Sequence, residues 1–322
     1  MELQMHNERT VYDIMTALRS LRITTSREKE LLCHLTRLLR QGPDGEPLAE
    51  AVTFTATGET RGILVVDAPG GGKSTLVSHV LSKHAVLGAE PTGTPRYIEA
   101  LVPSPGTHKN MGAEILEKTQ YPEISGRRDA FDYWKLARRR MTILGYVVLW
   151  IDEAHDLFEK DKNLILRALK SLMQGDDAVI VILSGTEALA RIVRTDPQVQ
   201  RRFSILELQP ISVENDLEMF SDVIANYTER AGLEWSGETE AVERLFHASR
   251  NVFGRCVETI LNAIEVALNA GSSQLTLDHF AMTWAHQEGC SADANVFLAD
   301  AWWAIQPDTE EPVTKTSRRK RR

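Results

Sequence analysis

The sequence predicts an α/β protein in which a parallel sheet, flanked by helices, is followed by an all-helical region. Short apolar runs typical of buried strands recur between residues 62 and 208, and helical patterns lie between them. Strands that alternate with helices pair in parallel and are covered on both faces. After Pro210 the strand-like runs stop and only helical patterns follow. These three observations define the predicted fold class.

The individual elements follow in chain order. Apolar residues at helical spacing predict two helices within residues 9–41, and the turn-rich stretch Gln41–Pro47 indicates a linker. The predicted strands are residues 62–66, 97–102, 147–151, 178–183 and 205–208. The predicted helices are one that begins near Lys73, then 109–119, 129–144, 162–174, 213–231, 238–248, 254–269 and 276–287.

Composition and charge set the class of protein. The 322 residues are 43% hydrophobic and 25% charged, as in a globular protein, and no apolar run reaches the ~18–20 residues that span a bilayer. The polar N-terminus lacks the apolar core of a signal peptide, so we expect a cytoplasmic protein without a membrane partner. Cys33, Cys256 and Cys290 are too scattered to predict disulfides or a zinc site.

The predicted elements divide the chain into four segments. They are an N-terminal helical extension with its linker (1–47), an α/β core (48–210), a helical lid (211–290) and a C-terminal tail (291–322). The net charge is −8, but Lys315–Arg322 alone carries six positive charges. This basic end indicates either an anionic partner such as nucleic acid or a disordered, solubilising terminus.

A phosphate-binding loop is predicted at Asp67–Thr75. The motif follows a strand and opens a helix, where backbone N–H groups and the helix N-terminus attract phosphates. Lys73 is expected to reach the outer phosphates of ATP, and the hydroxyl of Ser74 to bind Mg²⁺. The predicted nucleotide-binding residues are Pro69, Gly70, Gly71, Gly72, Lys73, Ser74 and Thr75. Asp67 stands where this motif usually has its first glycine, which predicts weakened nucleotide affinity as one possibility.

A pair of acids is predicted to act on the same nucleotide. Asp152 and Glu153 end an apolar strand that we expect beside the phosphate-loop strand. Asp152 would hold Mg²⁺, and Glu153 would orient and deprotonate the attacking water.

Five further residues are candidates for the nucleotide site. Ser184 or Thr186, at the end of the next strand, is expected to sense the γ-phosphate; the alternative is a simple turn. Arg202, with Arg201 second, is expected to enter a neighbouring subunit's nucleotide site, with a solvated arginine as the alternative. Arg255 opens a lid helix and is a candidate phosphate contact, or an ordinary residue at a helix start.

With these motifs in order, the chain resembles the TniB/TnsC group of transposition ATPases, which belong to the AAA+ class of P-loop ATPases and are related to MuB and ExeA. The specific features are the helical N-terminal extension, Val102–Lys109, Trp150–Leu157, Leu183–Leu189 and the Phe-Gly-Arg that opens a lid helix. The resemblance covers roughly residues 10–290. It implies an ATPase that uses ATP and Mg²⁺, assembles as rings or filaments on duplex DNA, and recruits and stimulates a transposase, with a target-selection protein as a further partner. Hydrolysis would disassemble the polymer.

The resemblance also implies where DNA would bind. The loop after the second strand would contact DNA phosphates without sequence preference through Thr107, His108 and Lys109, together with Lys118. A second basic block comprises Arg127, Arg128, Lys135, Arg138, Arg139 and Arg140, for which the alternative is the solvated face of a helix. Trp302 and Trp303 are candidates for a partner-docking anchor or for packing onto the lid.

Three alternative functions remain open at this point. The first is an ATP-binding assembly scaffold with little turnover, for which Asp67 would be the cause. The second is an ExeA-like secretion ATPase, which would be expected to carry a transmembrane helix. The third is an origin-type loader ATPase, which would be expected to carry an added winged-helix domain.

Overall fold

The computed structural model describes residues 9–89, 93–122 and 129–307, and of residues 159 and 160 only the backbone. Arg127, Arg128 and the basic end Lys315–Arg322 lie outside the described residues. In chain order the strands are β1 Leu39–Gln41, β2 Pro47–Ala51, β3 Gly62–Val66, β4 Tyr97–Leu101, β5 Val148–Asp152, β6 Ile180–Gly185, β7 Phe203–Glu207, β8 Glu234–Trp235 and β9 Gln274–Leu275. The helices are α1 Val11–Arg19, α2 Ser26–Thr36, α3 Lys73–Lys83, α4 His108–Lys118, α5 Ala130–Leu144, α6 Phe158–Leu172, α7 Glu187–Arg194, α8 Pro197–Gln200, α9 Val213–Ala231, α10 Thr239–Ala248, α11 Phe253–Asn269 and α12 Leu277–Glu288.

The chain forms two compact units. One runs from Thr24 to Gln209, and the other combines the residues up to Ile23 with those from Pro210 onward. The expected N-terminal extension is therefore divided, because α1 belongs to the second unit and α2 to the first.

The first unit is built on a parallel five-stranded sheet in the order β4-β5-β6-β3-β7. The fold class predicted from the sequence is confirmed. One detail of the prediction is wrong: β6 separates the phosphate-loop strand β3 from β5, so the strand that carries Asp152 is not its direct neighbour. The side chain at the end of β6 therefore lies between the two motifs.

Both faces of this sheet are covered by helices, and successive side chains of a strand enter the two cores in turn. Leu64, Leu149 and Val181 join a core formed with α4 to α7, whereas Ile63, Trp150 and Ile182 join a core formed with α2 and α3. The second core includes Leu31 and Leu35 of α2, which are fully buried. Helix α2 is thereby held against the sheet, close to the beginning of α3.

The stretch expected to be a linker is a hairpin turn. Strands β1 and β2 pair antiparallel across residues 42–46, and Gly42 N–H donates to the Glu46 carbonyl at 2.8 Å. Gly45 has a φ of 80°, which suits glycine in a tight turn. Pro and Gly residues are typical both of linkers and of hairpin turns, which is why the sequence indicated a linker where the structure has a hairpin.

The second unit is helical apart from the short parallel pair β8–β9. Its core contains Met15 and Leu18 of α1 together with apolar residues of α9 to α12. Helix α9 spans the predicted residues, and the other three long helices begin and end within about one residue of the prediction. None of the helices in the described parts of the chain has the length and apolar character to cross a membrane.

Candidate functional site

The phosphate loop connects the end of β3 to the first residue of α3. Gly70 and Gly72 have φ values of 80° and 91°, which residues with a side chain adopt only under strain. Gly72 is the N-cap of α3, so the free N–H groups of the first helical turn face the loop. This arrangement of backbone donors at a helix N-terminus is suited to binding phosphate.

Lys73 is held under the loop. The residue is buried, and its ammonium group donates to the carbonyl oxygens of Asp67 at 3.2 Å and Ala68 at 2.9 Å. Both partners are neutral, so the positive charge of the ammonium is not cancelled by a carboxylate bonded to it. An anion in the loop would therefore meet a localised positive charge.

Ser74 and Asp152 meet at the carboxyl end of the sheet. The Ser74 hydroxyl donates to Asp152 Oδ2 at 2.5 Å, and the buried Ser184 hydroxyl donates to Asp152 Oδ1 at 2.5 Å. The indole N–H of Trp150 in turn donates to Ser184 Oγ at 2.7 Å. These bonds fix the orientation of the Asp152 carboxylate.

This donor set fits magnesium. Mg²⁺ prefers hard oxygen ligands and is usually bound by one or two protein groups together with phosphates and water. Ser74 is exposed and supplies a hydroxyl next to the Asp152 carboxylate. Among the described residues there is no cluster of three or more His, Cys, Asp or Glu that could hold a metal without a nucleotide. Ser74 and Asp152 are therefore the residues that would hold magnesium here.

Glu153 follows Asp152 in a strained conformation. Its φ is 50°, and its backbone N–H donates to Asp152 Oδ1 at 3.0 Å. Glu153 Oε2 lies 3.3 Å from Nδ1 of His155, and Nε2 of the same ring lies 3.5 Å from Asp156 Oδ1. The Glu153 side chain is 44% exposed, so water reaches it. A carboxylate that follows Asp152 and is open to water could act as a base.

The two sensor candidates differ in what their hydroxyls do. The single hydroxyl proton of Ser184 is already donated to Asp152, so Ser184 positions the Asp152 carboxylate. Thr186, two residues later, is half-buried, and it makes no side-chain hydrogen bond at the start of α7. The structure therefore favours Thr186 for a contact with phosphate, which stays a prediction.

The two arginines before β7 have different environments. The expectation that Arg202, rather than Arg201, enters a neighbouring nucleotide site needs correction. The Arg202 side chain is 7% exposed, and it donates to Glu59 Oε1 at 2.5 Å and to the Lys170 carbonyl at 2.9 Å. Arg201 also pairs with Glu59, at 2.9 Å, but its side chain is 55% exposed. Arg202 is buried, and both of its terminal nitrogens are bonded within its own subunit, so the more exposed Arg201 is the better candidate.

The loop expected to contact DNA presents only some of its predicted residues. His108 is buried: its ring stacks on Trp134, with centroids 5.4 Å apart, and tilts against Phe131. Burial lowers the pKa of His108, with Asp161 and Asp129 acting in the opposite direction. His108 therefore belongs to the core of the α4–α5 pair, and the expectation that it contacts DNA phosphates is wrong.

The remaining DNA candidates lie nearer the surface. Thr107 caps α4 by accepting a hydrogen bond from Asn110 N–H at 3.2 Å, and Lys109 places its ammonium 5.6 Å from the ring centre of Tyr133. Lys118 is exposed and lies 3.6 Å from Glu114. In the basic block, Lys135 and Arg139 are exposed, whereas Arg138 donates to the carbonyls of Ser171 and Gln174. DNA contact by these residues stays a prediction.

The helical unit carries the other predicted residues. Arg255 lies in the first turn of α11 and borders a cleft of about 310 Å³ that Ser249, Arg250 and Trp284 also line. Trp302 packs edge-on against His247, and Trp303 is 63% exposed. The roles of Arg255 in phosphate contact and of Trp303 in docking stay predictions.

The comparison with known families decides the assignment. The family described as bacterial TniB protein matches residues 46–213, which is more than half of the chain. The chain belongs to the TniB family. No curated protein matches the sequence of this TniB-family member.

Solved structures show the fold of this TniB-family chain. The ORC1 protein of Aeropyrum pernix, solved in complex with DNA, has a TM-score of 0.60 at 16% identity, covering 89% of this chain and 70% of that one. The Cdc6p protein of Pyrobaculum aerophilum has a TM-score of 0.60 at 12% identity, covering 83% and 69%. The ORC2 protein of Aeropyrum pernix, in its ADPNP–ADP complexes, has a TM-score of 0.57 at 16% identity, covering 85% and 72%. The chain thus has the fold of an AAA+ ATPase with a helical C-terminal region.

The sequence prediction for this TniB-family chain gave no role to four residues that the structure places around the motifs. Trp150 and His155 lie within the acid motif itself, so their closeness in the chain to Asp152 and Glu153 could have indicated them. Arg27 and Glu59 approach from elsewhere in the chain, at the phosphate loop and at the arginine pair. No local pattern marks these two, because only the tertiary fold brings them there.

Proposed function

We propose that this chain is an ATP-dependent, DNA-binding regulator of transposition. It would bind ATP with magnesium, assemble on duplex DNA, recruit and stimulate a transposase, and leave the DNA when it hydrolyses ATP. Membership of the TniB family and the AAA+ fold support this proposal. The observation that carries it is the hydrogen bond from Ser74 to Asp152, next to the water-accessible carboxylate of Glu153.

Their geometry supports the following proposed roles for the residues. The N–H groups of residues 70–74 and the ammonium of Lys73 bind and orient the phosphates. Ser74 and Asp152 would hold magnesium, which would offset the negative charge of the phosphates. Glu153 Oε2 accepts the proton of the attacking water, and Ser184 keeps the Asp152 carboxylate in place.

Assembly supplies the remaining positive charge. We propose that Arg201, with its largely exposed side chain, enters the nucleotide site of a neighbouring copy in a ring or filament. An isolated subunit would then hydrolyse ATP slowly, and assembly on DNA would accelerate hydrolysis. Lys109, Lys118, Lys135 and Arg139 are the proposed contacts to DNA phosphates, and such contacts would be sensitive to salt and nearly indifferent to sequence.

A second function is favoured by one observation. Asp67 places a carboxylate inside the phosphate loop, with Oδ2 buried and without a hydrogen-bond donor among the described residues. A negative charge there opposes phosphate binding, so a scaffold with slow turnover is the alternative.

Hydrolysis and assembly, measured together, test the proposal. Phosphate release is followed at saturating Mg-ATP with and without duplex DNA of mixed sequence, and the same samples are imaged by negative-stain electron microscopy. The proposal expects DNA-stimulated hydrolysis and ATP-dependent rings or filaments on DNA. Assembly without measurable turnover would favour the scaffold, and no ATP-dependent DNA binding at physiological salt would contradict both functions.

A further inference from the structure

The phosphate loop is folded around the Asp67 carboxylate. Oδ1 accepts a hydrogen bond from the Ala68 N–H at 2.7 Å, and Oδ2 is buried without a hydrogen-bond donor among the described residues. Gly71 packs so closely that an added Cβ would lie 1.9 Å from Oδ2. Burial raises the pKa of Asp67, since the charged form loses water. The carboxylate is thus part of the loop's interior.

One guanidinium lies next to this carboxylate. Arg27, in the first turn of α2, places Nη1 3.8 Å from Asp67 Oδ2 and 3.4 Å from the Gly71 carbonyl. Its Nη2 donates to the Gln209 carbonyl at 2.5 Å. The Arg27 side chain is 15% exposed and that of Asp67 is 9% exposed, so the attraction between them is screened less than on an open surface.

Lys73 also attracts the Asp67 carboxylate through space and acts to lower its pKa, after Arg27 in size, but its hydrogen bonds go elsewhere. Its ammonium donates to the carbonyl oxygens of Asp67 and Ala68 rather than to the carboxylate. Neutralisation of Asp67 by Arg27 leaves the Lys73 charge for the phosphates. Without Arg27, Lys73 would face both a carboxylate and the phosphate oxygens.

We propose that Arg27 is a positioning residue of the nucleotide site, which neutralises Asp67 and ties the phosphate loop to α2 and Gln209. The loop can then accept phosphates although a carboxylate occupies its first position. This inference rests on the proposed binding of ATP. It explains how Asp67 is tolerated: Asp67 and Arg27 compensate each other, and removal of the arginine alone leaves an unbalanced charge in the loop.

A double-mutant cycle on nucleotide affinity tests the inference. The Kd for Mg-ATP is measured by calorimetry for the parent, Arg27→Ala, Asp67→Gly and the double variant. We expect Arg27→Ala to raise Kd about tenfold in the parent and by less than about threefold in the Asp67→Gly background, because the repelled charge is then gone. The same effect of Arg27→Ala in both backgrounds, or no effect in the parent, would overturn the inference.

Three controls distinguish the loss of the Arg27 charge from a general loss of folding. Arg40→Ala removes an exposed arginine, paired with Glu50 in the same unit, and is expected to leave Kd unchanged. Arg27→Ala should raise the Kd for ATP more than the Kd for ADP, and the increase should be smaller at high salt. An increase that is the same for both nucleotides and at both salt concentrations would indicate a structural role and contradict the proposal. If the Arg27→Ala variant unfolds at the assay temperature, Arg27→Gln replaces it in the double-mutant cycle. Arg27→Lys keeps the positive charge and is expected to restore most of the affinity for Mg-ATP.

The outcome also separates this inference from the proposed function. If the parent binds Mg-ATP and the cycle shows no coupling, only the role of Arg27 is wrong. If the parent and Asp67→Gly both fail to bind Mg-ATP, the proposed function fails and the inference fails with it.

Discussion

Ser74 and Asp152 are joined by a hydrogen bond of 2.5 Å, although they stand 78 positions apart in the chain. Ser74 lies at the start of α3, and Asp152 is the last residue of β5. The bond brings together two protein ligands of the kind that magnesium uses beside a bound triphosphate. The residues around this contact have roles that can be tested separately.

Ser74 is expected to act through magnesium. Ser74→Ala removes the hydroxyl and leaves Asp152 Oδ2 without that donor, so we expect the gain in ATP affinity on adding magnesium to fall by about tenfold or more. Ser74→Thr keeps a hydroxyl and serves as the control. Binding is measured by calorimetry with Mg²⁺ and with EDTA. An unchanged magnesium dependence in Ser74→Ala would remove Ser74 from the ligand set.

Glu153 is expected to separate binding from hydrolysis. Glu153→Gln keeps the shape of the side chain but cannot accept a proton, so hydrolysis should fall at least about 100-fold while ATP affinity stays near that of the parent. Complexes with DNA should persist, because hydrolysis no longer disassembles them. Phosphate release and the lifetime of DNA complexes measure the two effects. Hydrolysis at the parent rate would show that another group is the base.

Substitutions of Arg201 and Arg202 are expected to have different effects. Arg202→Ala breaks a buried ion pair with Glu59 and should lower the free energy of unfolding by about 3 kcal/mol. Arg201→Ala should leave thermal stability nearly unchanged and abolish DNA-stimulated hydrolysis. Mixing Arg201→Ala with Glu153→Gln should restore some activity, since each supplies what the other lacks in trans. Equal loss of hydrolysis in dilute, unassembled Arg201→Ala and in its assembled form would exclude the role in trans.

His108 is expected to make stability depend on pH. Burial lowers its pKa in the folded state below the ordinary value of 6.5, so below that pH the unfolded chain binds the proton more readily than the folded chain. The free energy of unfolding should therefore fall as pH decreases through 6.5, by up to about 1.4 kcal/mol per pH unit. Denaturant unfolding of the parent and His108→Gln measures this. Buried His84, whose pKa is also lowered, should keep part of the slope in the variant.

Much of the site could be predicted because its signals are local. The glycines that permit positive φ, the lysine and serine that follow them, and the acids at a strand end are each read from a few consecutive residues. The helix Val213–Ala231 was predictable because its apolar spacing and its Gly232 C-cap are local too. The helix bounds and the position of the loop between β3 and α3 agree with the prediction, and the roles of the site residues stay predictions.

The rest depended on contacts between distant residues. The insertion of β6 between β3 and β5 follows from the order of strands in the sheet, which no single strand specifies. Arg202 is buried because it pairs with Glu59, which lies 143 positions away in the chain, and His108 is buried because Trp134 of α5 covers it. A basic or polar residue in a loop has the same local sequence whether the fold covers it or leaves it exposed.

Binding of Mg-ATP tests most directly whether residues 67–75 form a phosphate loop that holds a nucleotide. A titration of labelled ATP into the purified chain, with magnesium present, is compared with the same titration of Lys73→Ala. We predict saturable binding by the parent with a Kd in the micromolar range, of order 1–100 μM, and a loss of at least about 100-fold in Lys73→Ala. No retained nucleotide in the parent, or equal affinity in the variant, would contradict the assignment of the phosphate loop.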